Sequence, residues 1–177
     1  MTQSGDQARQ LAAASLLEAM SRLDASLVSA EMIETLATHS QYPARSCAAN
    51  LLRDRAVIAP LEVPAGILGR LALPAGEDWY VCAPAMAAVK ELILSRPDVY
   101  VIFESLAASA EPQDRHAVAE ALNEIAAVRP AAVARDLAEL LLADADPLVA
   151  QKAEAVMTAI EHVTDAERAD YYGHFGP

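Results

Sequence analysis

The chain has 177 residues, of which 54% are hydrophobic but only 5% aromatic, and its net charge is −12 at pH 7. That length allows one domain with a substantial core, and an alanine-rich composition sparse in strand-favouring residues predicts an all-α fold. The acidic balance argues against nucleic acid or anionic membrane as a ligand, and two cysteines, Cys47 and Cys82, are too few for a disulfide framework.

In chain order, residues 1–5 are expected to be frayed. Asp6 can cap a helix over 7–23, with Leu11, Ala14, Leu16, Leu17, Met20 and Leu23 on one broad apolar stripe. The opening MTQSGDQARQ lacks the basic run and apolar core of a leader peptide, and no later apolar run approaches the roughly 18 residues of a membrane span. A cytoplasmic, reducing setting is therefore expected. Ser29 caps a helix over 30–38, with Met32, Ile33 and Leu36 inward. Pro43 opens the next helix, to about Arg55, and Pro60 interrupts the connection that follows. A short helix over 64–72 contains Gly66 and Gly69, which either weaken it or admit a close neighbour. Pro74, Ala75 and Gly76 form a turn.

A helix then begins at Asp78 and runs to Ser95. Pro84 lies within it and cannot donate to the Tyr80 carbonyl, so the helix either kinks there or starts near Ala83. The Arg96-Pro97 and Arg129-Pro130 pairs break the chain 33 residues apart. Between and beyond them helices are predicted over 97–109, 112–128, 131–143 and 148–162, with Val133, Leu137, Leu140 and Leu141 inward in the third. A short helix over 165–172 and a tail over 173–177 close the sequence.

The stretch 111–125, EPQDRHAVAEALNEI, returns 35 residues later as DPLVAQKAEAVMTAI. Pro112 falls on Pro147, Val118 on Ala153, Ala121 on Val156, Leu122 on Met157 and Ile125 on Ile160. Fainter copies lie 33 residues upstream, at 78–92, and a further 37 upstream, at 41–55, where Arg55 breaks the pattern. Such periods predict helical hairpins that stack because none can bury its apolar face alone. Residues 140–160, LLLADADPLVAQKAEAVMTAI, resemble a HEAT repeat, with Asp146, Pro147, Val149, Ala153, Val156 and Ile160 matching its pattern. The family's basic residue after the valine is Ala150 here and Cys82 in another copy, while Arg45 and Arg115 keep it in two. In the family this residue ties neighbouring turns together. The resemblance covers roughly 29–162. It implies a single domain over 1–177, a short right-handed α-solenoid of about four HEAT-like helical hairpins (about 29–56, 63–95, 97–128 and 130–162) behind an N-terminal capping helix over 6–23.

The resemblance also implies that the second helix of each hairpin lines a concave wall. Outside the core positions this leaves Asn50, Arg53, Asp54, Lys90 and Glu91 on the first two, and Glu120, Asn123, Glu124, Gln151, Glu154 and Thr158 on the last two. That mostly polar, net acidic surface is either a solvated face or a groove for a protein partner. Tyr42 and Trp79 take equivalent repeat positions, with Tyr80 adjacent. They form either an aromatic strip that anchors a partner or the filling of a joint between turns. His116, Glu120 and Glu124 share a helix face at i, i+4 and i+8, but no second element supplies further ligands, so a hydrated face is expected rather than a metal site.

Cys47 and Cys82 have no neighbouring base in any recognisable motif and are expected in the core. No glycine-rich phosphate loop occurs. The sequence therefore predicts a protein without catalytic activity, cofactor, metal or small-molecule substrate, which binds a basic protein partner through its acidic wall. The alternative is an acidic inhibitor or antitoxin-like protein that neutralises a nucleic-acid enzyme by imitating phosphate charge. DNA-base repair, which some HEAT-like proteins perform, needs a basic groove, and the predicted one is acidic.

Overall fold

The computed structural model describes residues 3–24, 27–72 and 79–173. The expected turn at 74–76, the helix start at Asp78, the tail at 174–177 and the side chains of Asp6 and Leu11 lie outside the described residues. Among the described residues there are ten α-helices, joined by turns and by 3-10 segments at Pro60–Glu62, Pro97–Val99 and Pro130–Ala132. The helices are α1 (Gln3–Leu23), α2 (Ala30–Ala37), α3 (Tyr42–Ile58), α4 (Ala65–Ala72), α5 (Trp79–Ile93), α6 (Tyr100–Ala107), α7 (Pro112–Val128), α8 (Arg135–Leu142), α9 (Pro147–Ile160) and α10 (Asp165–Gly173). The all-α expectation holds.

Short and long helices alternate, and the eight-residue helices α2, α4, α6 and α8 begin 35 residues apart, at 30, 65, 100 and 135. The long helices bury the same positions: Ala48, Leu51 and Leu52 in α3, Ala85, Ala88 and Val89 in α5, Val118, Ala121 and Leu122 in α7. Those positions follow the sequence shifts of 37 and 33, so α5 enters two residues late. The two residues are recovered after Pro97, where the 3-10 segment runs straight into α6, while two residues separate the other 3-10 segments from α4 and α8. Small residues at these contacts let helix axes approach closely.

Proline sets the joints. The residues before Pro60, Pro97 and Pro130 lie outside the helical region, with φ of −143°, −145° and −148°, because the pyrrolidine ring disfavours helical backbone there. Three of the short helices, α2, α6 and α8, end alike: the amides of Thr38, Ala108 and Ala143 donate back to the carbonyls of Glu34, Glu104 and Glu139. Ser29 caps α2 through the Met32 amide at 3.2 Å, and Asp146 caps α9 through the Leu148 amide at 2.9 Å.

Residues 1–92 and 93–177 form two compact units. In the first, α3 packs on α1, α2 and α4. Its side chains meet α1 at Ala14, Glu18 and Arg22, through Cys47, Asn50 and Asp54. Leu16 and Leu23, expected on the inner stripe of α1, are 61% and 85% exposed. At 3.6 residues per turn both lie roughly opposite Ala14, so the predicted stripe was too broad. Arg55 is buried at a core position, where its Nη2 donates to the Val28 carbonyl at 2.6 Å.

In the second unit, α7 and α8 both pack along α9, and α6 packs on α7 and α8. The inward face of α8 is Leu137, Ala138 and Leu141, and Leu140, expected inward, is exposed. The terminal helix α10 docks on the 130–132 segment.

Candidate functional site

In the first unit, α3 and the first half of α5 enclose a groove of about 350 Å³. One wall is polar, made by Ser46, Asn50 and Arg53. The rest is Trp79, Tyr80, Ala83, Pro84 and Ala87. The groove joins two features that the sequence kept separate, the polar residues of the expected inner face and the aromatic pair. Trp79 is 74% exposed and Tyr80 65%, so neither ring fills a joint between turns. Tyr42, at the start of α3, is 41% exposed and stands outside the lining.

Pro84 explains how this groove is held. Helix α5 starts at Trp79 and runs through the proline, rather than beginning near Ala83. A regular helix would bond the residue-84 amide to the Tyr80 carbonyl, and proline has no amide hydrogen to give. The Ser46 hydroxyl donates to that carbonyl instead, at 2.9 Å. One hydrogen bond therefore satisfies the exception and fastens α5 to α3 beside the aromatic pair.

The polar wall is also fixed. Arg53 donates from Nε and Nη2 to Asp54 Oδ1 at 3.1 and 2.8 Å, while Arg22 of α1 donates to Asp54 Oδ2 at 3.0 Å. Asn50 donates to Glu18 Oε1 at 3.2 Å. Two guanidiniums share one carboxylate, so Arg22, Arg53 and Asp54 together carry one positive charge. Lys90 and Glu91 lie further along α5, outside the lining.

The second unit carries the acidic residues. Residues 93–177 hold 15 acids and 6 bases, a net −9, against 10 acids and 7 bases, a net −3, in residues 1–92. Glu124, Gln151 and Glu154 are exposed on α7 and α9, and Asn123 is half-buried. Glu120 forms an ion pair with Lys152 across the two helices. Among the described residues no group of three His, Cys, Asp or Glu is placed to hold a metal ion.

The basic repeat position has a visible task. Arg115 donates from Nη1 to the Ser109 and Ala110 carbonyls, at 2.9 and 3.0 Å, closing the end of α6. Its Nε and Nη2 donate to Asp144 at 2.6 and 3.2 Å, which ties that turn to the next. The guanidinium holds the Asp144 carboxyl below the usual carboxylate range. Arg45 closes α2 in the same manner, on the His39 and Ser40 carbonyls at 2.8 and 2.9 Å.

Tyrosines that sequence reasoning passed over hold the second unit. Tyr171 of α10 is 1% exposed, donates to the Ile93 carbonyl and lies 4.9 Å beneath the Arg129 guanidinium. Tyr100 donates to the Ala132 carbonyl and accepts from the Ala134 amide. Cys47 and Cys82 are buried free thiols, and burial pushes Cys47 up to about 12, far from the thiolate that a nucleophile requires.

Comparison with protein-family models, with curated proteins and with solved structures finds no significant match to this chain.

Proposed function

We propose that this chain is a non-catalytic, cytoplasmic protein-binding module. In this reading it is a short right-handed solenoid of about four HEAT-like hairpins behind α1, and the second helices of the hairpins receive a basic protein partner. The observation that carries the reading is the acidic face of α7 and α9, where Glu124 and Glu154 are exposed on a unit of net charge −9. The family resemblance is supported by helix starts 35 residues apart and by the paired roles of Arg45 and Arg115. Free, buried thiols suit a reducing setting, and among the described residues no helix is long and apolar enough to cross a membrane.

The test is cross-linking and co-purification from the native host, followed by measured affinity for the purified partner. Glu124→Lys with Glu154→Lys is expected to weaken binding by at least about tenfold, and added salt to weaken it further. Undiminished binding by that double variant refutes the acidic-face reading. The charge of 93–177 also favours a second reading, an acidic inhibitor of a nucleic-acid enzyme. That reading expects duplex DNA to compete with the chain for the partner, and a partner that binds both at once excludes it.

A further inference from the structure

The second binding chemistry on this chain lies in the first unit. We infer that the groove between α3 and α5 takes an extended, proline-containing segment of a partner protein that carries a carboxylate. The inference rests on the reading of the chain as a protein-binding module, but it concerns a different surface and an opposite ligand charge.

Shape selects an extended ligand. Along α3 the lining runs from Ser46 to Arg53, and along α5 from Trp79 to Ala87. At 1.5 Å per helical residue these spans are roughly 11–12 Å. A polyproline II segment rises about 3.1 Å per residue, so about four residues match that length. A helical ligand, about 10 Å across, would set only one row of its side chains into the groove.

Chemistry selects proline beside an acid. Trp79 and Tyr80 present exposed rings over a floor of Ala83, Pro84 and Ala87, the type of aromatic slot that packs on proline rings. Arg53 is the charged member of the lining. Asp54 occupies its Nε–Nη2 edge, and its side chain remains 36% exposed, so part of the guanidinium fork is left to bond a ligand. Arg22 shares Asp54 with Arg53, and Glu18 lies behind Asn50, so the cluster around the polar wall is neutral overall, while Arg53 is the charge that lines the groove itself. A carboxylate on the ligand would meet that guanidinium, and a basic segment would meet a like charge.

Trp79 is the one tryptophan in the chain and stands at the groove, so its emission reports occupancy directly. The probes are three blocked hexapeptides in which proline alternates with glutamate, glutamine or lysine. Saturable change in Trp79 emission is expected with the glutamate peptide, with affinity at least about tenfold above that of the lysine peptide. Arg53→Gln is expected to bring the glutamate peptide to the level of the glutamine peptide. Tyr80→Ala, an exposed site that should leave the fold intact, is expected to weaken all three.

The inference is overturned if no peptide saturates at millimolar concentration, if the lysine peptide binds as well as the glutamate one, or if Arg53→Gln changes nothing. Its failure is separable from failure of the acidic-face reading. A partner that tolerates Tyr80→Ala but is lost with the Glu124 and Glu154 reversals leaves that reading standing without this one. Peptide binding that persists in those reversals supports the groove whatever becomes of the acidic face.

Discussion

The hydrogen bond from Ser46 to the Tyr80 carbonyl exists because Pro84 cannot make its own, and a double-mutant cycle measures that dependence. Proline in a helix interior costs about 3 kcal/mol relative to alanine, and a neutral hydrogen bond returns about 1 kcal/mol. Ser46→Ala alone should therefore destabilise the chain by about 1 kcal/mol. Pro84→Ala alone should stabilise it by about 2 kcal/mol, the interior penalty less the compensation already present. In the Pro84→Ala background residue 84 donates to Tyr80 within the helix, and Ser46→Ala should then cost less than about 0.5 kcal/mol. Urea unfolding followed by circular dichroism at the helix minimum reads all four corners, with a coupling of about 0.5–1 kcal/mol expected. Trp79 fluorescence is a poor reporter here, because the ring is exposed in the folded state. Equal costs of Ser46→Ala in both backgrounds, or a clear loss of stability from Pro84→Ala, would refute the account.

Arg115→Ala should destabilise the chain, because it opens the end of α6 and leaves the Asp144 carboxylate without its guanidinium; an unchanged urea midpoint contradicts that. The Asp144 carboxyl is held low in the fold, so its contribution is complete above the ordinary carboxylate range and disappears as pH falls through the depressed value. Asp144→Asn should flatten that acid limb of the stability profile. Tyr171→Ala should cost about 3–5 kcal/mol and expose α10 to limited proteolysis. Burial opposes ionisation of the Tyr171 hydroxyl and pushes it up to about 12 in the fold, while the unfolded chain loses that proton near the ordinary tyrosine value of about 10. Stability should therefore decline as pH rises from 10 to 12, and Tyr171→Phe should make that decline shallower, the remainder coming from the Tyr100, Tyr172 and Cys47 groups that burial also pushes up. Gly66→Ala should stabilise α4 by about 0.5–1 kcal/mol, because a Cβ there meets nothing within 4 Å; a thermal midpoint that falls excludes this.

Most of the helices were legible because proline and periodicity act locally. Pro112 begins α7 as expected, α9 begins at Pro147, one residue before the expected start, and the repeat shifts reproduce the burial of α3, α5 and α7. Errors arose where an apolar residue was assigned to a face by type alone. Leu16, Leu23 and Leu140 were placed inward, yet helical geometry turns each away from the row that meets its neighbour. Gly66 was offered as a point of close approach, and its surroundings are open. Tyr171 was missed because α10 is otherwise polar and its partners, Ile93 and Arg129, lie 78 and 42 residues away in sequence, beyond the repeat period. The groove was half legible. Asn50, Arg53, Trp79 and Tyr80 were all singled out, but their convergence depends on the bond between Ser46 and the Tyr80 carbonyl, which no pattern encodes.

The repeat that departs furthest from the pattern is the one that builds the groove. Pro43, Pro112 and Pro147 stand in the first turn of their helices, where the missing amide hydrogen is harmless. In α5 that turn carries Trp79 and Tyr80, and the proline sits five residues into the helix. Local rules disfavour both choices, since they expose two large rings and lose a helical hydrogen bond. Sequences tend to break such rules at functional sites and to compensate nearby. Here the compensation is Ser46, on the opposite wall of the same groove. The two explanations of Pro84 therefore separate experimentally. If the proline is only tolerated, Pro84→Ala should gain stability and leave peptide affinity unchanged. If it shapes the floor on which the ligand rests, the same substitution should gain stability and lose affinity together, and the docking inference requires the second result.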